Sequence, residues 1–345
     1  MPVNLKNYFK EAIKADASDL HLVGEELPMI RVEGQLKELD EKPLGNKELE
    51  TAVMGILSKE QAARFTEEKE LDLAYEVEGV RFRVNLHRES GNIGMAARLI
   101  PKDIPTVEDL HFEPSLLEVP KLLDGLILVT GPTGCGKSTT LAALIEEINK
   151  ARKAHVVTIE DPIEFLFEDK ECLIEQREVG NDTKSFANAL KYVLRQDPNV
   201  ILVGEMRDPE TIATVLTAAE TGHLVFSTLH TSSAAEAVER IVDVFEGSKQ
   251  KQVLVQLAAV LKMVVAQDLL PAKDGGRVPA REILVNTPAV SNLIRENNIA
   301  QLKSVIQTGA KEGMVSMENS LKQLLKEGWI DEETAEKRLE RNRKV

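Results

Sequence analysis

Residues 131–138 read Gly131-Pro132-Thr133-Gly134-Cys135-Gly136-Lys137-Ser138, between an apolar run, Leu126 to Thr130, and a helix-forming run, Thr139 to Ile148. A strand, a glycine-rich turn and a helix in that order make a phosphate cradle. The glycines let successive backbone N–H groups converge on phosphate oxygens, the helix N-terminus adds partial positive charge, and Lys137 adds a full one. The Ser138 hydroxyl is placed to ligate Mg2+. Gly131, Pro132, Thr133, Gly134, Cys135, Gly136, Lys137, Ser138 and Thr139 are therefore the expected nucleotide-binding residues, for a nucleoside triphosphate with Mg2+. The bland alternative is a glycine-rich turn with an exposed lysine.

Around this loop the chain alternates buried strands, Leu126 to Val129, His155 to Ile159, Val200 to Val203 and Leu224 to Thr228, with helices. That alternation predicts a parallel α/β sheet. Beyond about Ser248 the pattern is mostly helical, with one strand expected at Val278 to Val285. The first hundred residues differ. A short amphipathic helix is expected at Leu5 to Ala15, then strands at Asp19 to Val23, Met29 to Glu33 and Gln35 to Leu39, with Glu33-Gly34 as a turn. Helices at Lys47 to Leu57 and Lys59 to Thr66 follow. Leu71 to Val77 and Val80 to His87 flank Glu78-Gly79 as a hairpin, and Gly94 to Ile100 closes a small antiparallel α/β domain before Pro101. The turn-rich stretch 101–118 reads as a linker. Domains are thus expected at 1–100 and 119–345.

Composition narrows the partners. With 345 residues, 43% hydrophobic and 29% charged, the chain can bury large cores, and its net charge of -14 speaks against a dominant nucleic-acid or anionic-membrane surface. No nucleic acid is expected. Two cysteines cannot make a four-thiolate zinc site, and Cys135 lies inside the phosphate loop, so reduced thiols in a cytoplasmic protein fit. Neither an 18-residue apolar run nor a signal-peptide core occurs, so membrane association is expected through a partner.

Other residues carry chemistry. Ile201-Leu202-Val203-Gly204-Glu205 is an apolar strand ending in a carboxylate, where such sheets hold magnesium or its waters. Glu160-Asp161 closes another apolar strand before Pro162, and either acid could orient and deprotonate water for hydrolysis; Asp-Pro is also ordinary turn chemistry. His223 and His230 bracket the strand in Thr221 to Thr231. Their spacing places them on opposite faces or at the two ends, which argues against a shared metal and leaves a γ-phosphate sensor, a subunit relay or a structural role. Arg81 and Arg83 share a strand face, and Arg98 lies on the next strand, a guanidinium cluster able to offset phosphoryl charge or simply to be solvated.

Together these motifs resemble the ATPases of type II secretion and type IV pili, and among them the pilus retraction ATPases, the PilT family. The matching residues are Ala17-Ser18-Asp19-Leu20-His21-Leu22, Gly131 to Thr140, Thr158-Ile159-Glu160-Asp161-Pro162-Ile163-Glu164-Phe165, Gly204-Glu205-Met206-Arg207-Asp208 and Thr221 to Thr231. The resemblance spans essentially the whole chain in the family's order. It implies a PAS-like N-terminal α/β domain, a RecA-like P-loop ATPase domain and a homohexamer with ATP between domains. It also implies Glu160 as catalytic base, Glu205 as Walker B acid and metal residue beside Ser138, and site roles for His223, His230, Arg81, Arg83 and Arg98. The implied function is a motor for pilus retraction and twitching motility, cytoplasmic and peripheral to the inner membrane through a platform protein.

Ala289 to Glu296 resembles that family's Ala-Ile-Arg-Asn-Leu-Ile-Arg-Glu motif, with Val290 for isoleucine and Ser291 for arginine. An accessory retraction ATPase and a compact assembly ATPase keep the motor and change its task. A nucleotide-gated adaptor without useful turnover and a nucleic-acid translocase are the alternatives of other kinds.

Overall fold

In the computed structural model, residues 3–32, 34–39, 42–100 and 103–343 are described. Glu33 and Pro101, expected at a turn and a linker, lie outside them. The chain divides into two compact units, Met1–Asp103 and Ile104–Val345.

The first unit runs α1 (Leu5–Lys14), β1 (Asp19–Val23), β2 (Met29–Val32), β3 (Gln35–Glu38), α2 (Asn46–Met54), α3 (Lys59–Glu68), β4 (Leu71–Val77), β5 (Val80–Glu89) and β6 (Asn92–Leu99). Its strands form a six-stranded antiparallel sheet ordered β3-β2-β1-β6-β5-β4. Period-two alternation decides its faces. Leu20, Leu22, Phe82, Val84, Met95 and Ala97 pack with Phe9, Leu49, Val53 and Phe65 of the helices, leaving the other face polar. The expected 78–79 hairpin is there, joining β4 to β5.

The second unit begins earlier than expected. From Ile104 the supposed linker belongs to it, with Val107 and Leu116 buried. Then come α4 (Pro114–Leu117), β7 (Gly125–Thr130), α5 (Lys137–Ala151), β8 (His155–Glu160), β9 (Leu173–Glu178), α6 (Phe186–Val193), β10 (Val200–Val203), α7 (Pro209–Glu220), β11 (Leu224–Leu229), α8 (Ala234–Asp243) and α9 (Ser248–Val260). The chain closes with β12 (Leu261–Pro271), β13 (Arg277–Val285), α10 (Pro288–Arg295), α11 (Leu302–Thr308), α12 (Met317–Glu327) and α13 (Glu332–Arg343).

The sheet order is β13-β12-β7-β11-β10-β8-β9, parallel throughout except for β13. Ile127, Val129, Val156, Leu202 and Phe226 face α5 on one side. Leu126, Leu128, Val157, Ile201 and Val225 face α6–α10 on the other, giving three layers. The mostly helical reading after Ser248 is corrected by β12. That strand follows α9 without a break, and the apolar run from Met263 to Ala266 has no alternation to separate it from a buried helix. β9 likewise had no forecast.

Candidate functional site

In a parallel sheet the carboxyl edge is where loops meet helix N-termini. The phosphate loop leaves β7 there, two strands from the end of β10 and three from the end of β8. At strand spacing that puts the ends of β7 and β10 about 10 Å apart.

The loop backbone turns at Gly131 (φ 146°), Gly134 (φ 80°) and Gly136 (φ 85°). A Cβ on Gly131 would lie 2.2 Å from the Gln267 carbonyl, so the loop rests against the β12 backbone at a distance only glycine permits. Lys137 is buried, its ammonium donating to the Gly131 and Pro132 carbonyls at 2.8 and 3.1 Å. Binding of a phosphate trades these neutral acceptors for charged oxygens. Pro132, Ser138 and Thr139 are half-buried, Thr133 and Gly134 exposed. Cys135 is buried, and burial pushes its thiol up, so it stays protonated.

Glu160 ends β8 on the same sheet face as Thr158, the face covered by α5, and is 9% exposed. The Thr158 hydroxyl donates to its Oε1 at 2.7 Å, and Gln176 and the Glu164 N–H approach at 3.4 Å. Burial outweighs these bonds and raises its carboxyl to about 7. Such an acid takes up and releases a proton near neutrality, as a general base must. Glu178, opposite Glu160 in the β8–β9 register, accepts the Ile163 N–H at 3.2 Å and so braces the turn after Glu160. Asp161, the other acid considered, is exposed.

Glu205 follows β10 on the next strand over. Its carboxylate pairs with Arg207 at 2.6 Å and accepts from His230 Nε2 at 3.3 Å. The Thr228 hydroxyl holds the Gly204 carbonyl at 2.5 Å, and the Thr130 hydroxyl receives the Thr231 N–H at 2.9 Å, so the ends of β7, β10 and β11 are stitched together. His230 stands at this edge.

His223 does not. It precedes β11 at the amino edge, about 20 Å from His230 by strand rise, and its Nδ1–H donates to the Ala218 carbonyl at 2.9 Å. Of the two arrangements their spacing allowed, the two ends of one strand is the one found. Within this unit His223 cannot share the phosphate site with His230.

The three arginines belong to the first unit. Arg83 and Arg98 are direct partners across β5 and β6, both exposed, and Arg98 donates to Asp19 at 2.9 Å. Arg81 lies on the same face, opposite Glu76. Asp19 is the counter-charge of Arg98.

No group of three or more His, Cys, Asp or Glu side chains among the described residues could hold a metal alone. The oxygen donors near the loop, Ser138 and Glu205, instead suit Mg2+, which binds one or two protein oxygens plus substrate phosphates and water. Sequence reading missed Thr158, Gln176, Glu178, Gln267 and Arg281; apart from Thr158, none falls in a motif.

The family model described as type II/IV secretion system protein matches residues 2–329. The chain is 48% identical over 323 residues to the type IV pilus retractation ATPase PilT of Pseudomonas aeruginosa, covering 93% of this chain and 94% of that one. It is 47% identical to a twitching motility protein of Neisseria gonorrhoeae, over 90% of this chain and 84% of the relative. A crystal structure of the pilus retraction motor PilT with bound ADP superposes with a TM-score of 0.91 at 44% identity, covering 96% of each chain. The α/β class holds, with a PAS-like first unit and a RecA-like second.

Proposed function

The chain belongs to the type II/IV secretion system protein family, and we propose from that premise that it is a homohexameric ATPase whose hydrolysis cycle powers type IV pilus retraction. The supporting observation is one sheet edge that bears a phosphate loop, a buried acid poised near neutrality, a second acid and a histidine. Phosphate binding, proton uptake and charge control are the three requirements of phosphoryl transfer to water.

Lys137 and the loop N–H groups bind the β- and γ-phosphates. Glu160 orients the attacking water and takes its proton, with Thr158 and Gln176 fixing the carboxylate. Glu205 and Ser138 would hold Mg2+, which neutralises charge on the phosphate oxygens when bound. His230, seated on Glu205, reads the state of the γ-phosphate. For Arg81, Arg83 and Arg98 we propose the charge-offsetting role implied by the resemblance. For His223, whose ring is held on the Ala218 carbonyl, the remaining roles are a structural one and a relay to a neighbouring subunit.

No helix among the described residues is long and apolar enough to cross a membrane. Docking to the inner membrane through a pilus platform protein, from the cytoplasm, is the proposed placement. Ser291, where the retraction motif has arginine, donates its hydroxyl to the Ala258 carbonyl at 2.8 Å and to Asn286 at 3.1 Å. The side chain at this position braces α10 against the end of α9.

The test is Mg-dependent phosphate release against protein concentration, with mass by light scattering on the same samples. Turnover appearing with a six-subunit species, abolished in Lys137→Ala and in Glu160→Gln, supports the motor. Nucleotide binding without turnover would favour a gated adaptor, and stimulation by DNA or RNA a translocase. Failure of a deletion strain to retract pili, restored by the wild-type gene, assigns the task.

A further inference from the structure

Behind the phosphate loop lies a buried polar chain that no motif contains. Gln267 is 3% exposed on β12, and its amide makes three hydrogen bonds. Its Oε1 accepts from the Thr140 hydroxyl and from Arg281 Nε, both at 2.8 Å. Two donors on one atom require that atom to be the oxygen, which fixes the amide orientation. Its Nε2 then faces the loop and donates to the Cys135 carbonyl at 2.5 Å.

Arg281, fully buried on β13, holds the other end. Nη1 donates to Glu113 at 3.1 Å and to the His111 carbonyl at 3.2 Å, Nη2 to the Leu110 carbonyl at 2.9 Å, and the guanidinium lies 5.0 Å from the Phe112 ring centroid. Every arm of the arginine is therefore engaged, and the amide it grips cannot rotate away.

A phosphate loop turns its N–H groups inward, so its carbonyls turn outward and need donors behind them. Gln267 is such a donor, and its own backbone carbonyl is the surface on which Gly131 rests. We infer that Gln267 is a positioning residue for the phosphate loop, with Arg281 and Thr140 locking its amide so that the loop N–H groups converge before nucleotide arrives. This rests on the nucleotide-binding reading and adds a residue that touches no ligand. Pre-organisation of this kind acts on affinity, because a loop already in its bound shape loses less entropy on binding.

The experiment compares wild type, Gln267→Glu and Thr140→Val in the full-length protein, titrating a fluorescent ADP analogue and recording KM, kcat and Tm. Gln267→Glu keeps both acceptor bonds to Thr140 and Arg281 but turns an oxygen toward the Cys135 carbonyl. The expected result is a Kd and KM raised about threefold to tenfold, the worth of one such bond, with Tm close to wild type. Thr140→Val removes one of the two donors that lock the amide and adds no charge, so a smaller rise in Kd is expected. A role in folding alone would lower Tm and the active fraction but leave the Kd of folded protein unchanged. Wild-type Kd and KM in Gln267→Glu would overturn the assignment. Should that variant not fold, unchanged values in Gln267→Met, which removes the donor to the Cys135 carbonyl, would do the same. No binding by wild type would overturn the nucleotide reading itself.

Discussion

His230 Nε2 stands 3.3 Å from the Glu205 carboxylate, although 25 residues separate them. A carboxylate only accepts, so the imidazole carries its proton on Nε2 and donates. Parallel pairing of β10 with β11 produces this contact, bringing both strand ends to the same edge.

That pair should behave as a unit. Glu205→Gln is expected to keep ATP binding but lose about 10²-fold or more in kcat, and His230→Ala about tenfold. The double variant should be no slower than Glu205→Gln alone. A full multiplicative loss in the double-mutant cycle would show that the two act independently.

Glu160 sets the acid limb of activity. With its carboxyl near 7, kcat/KM should fall as pH drops through about 7, because the base is then protonated. Cations at the phosphates favour the carboxylate, so the limb of kcat should lie lower. A pH–rate profile measured in both parameters checks the order.

The same shift makes a stability statement. The folded carboxyl holds its proton up to about 7 against 4.5 ordinarily, so its contribution is present below pH 4.5 and lost as pH rises through 7. The loss is up to roughly 3 kcal/mol. Glu160→Gln cannot ionise, so its Tm relative to wild type should climb from pH 5 to pH 8. Parallel curves would contradict the burial of an ionisable Glu160.

Two loop glycines should differ. Both have positive φ, but a Cβ on Gly134 meets nothing within 4 Å, while one on Gly131 meets the Gln267 carbonyl and the Cys135 sulfur. Gly131→Ala is expected to lose nucleotide binding and several degrees of Tm, Gly134→Ala much less. Equal effects would mean that backbone strain alone decides.

Fully buried Arg281 pairs with half-buried Glu113 at 3.1 Å. Arg281→Met removes the partner of the Glu113 carboxylate and the donors to the His111 and Leu110 carbonyls, and should lower Tm by several degrees. Adding Glu113→Gln removes the stranded charge and should recover part of the lost Tm. No recovery would assign the cost to the lost carbonyl bonds instead.

Sequence alone determined the phosphate loop, the parallel alternation around it, the hairpin at 78–79 and the acids at the ends of β8 and β10. Those features are local: a glycine turn, a period of two, a charge closing an apolar run. What only the tertiary structure decided depends on which strands become neighbours. The joining of His230 to Glu205, the exile of His223 to the far edge, the insertion of β12 beside β7, and the grip of Gln267 and Arg281 on the loop all follow from strand order. The physical reason is that backbone pairing and burial link residues up to 171 apart, as in Leu110 and Arg281, and spacing along the chain carries no record of those partners.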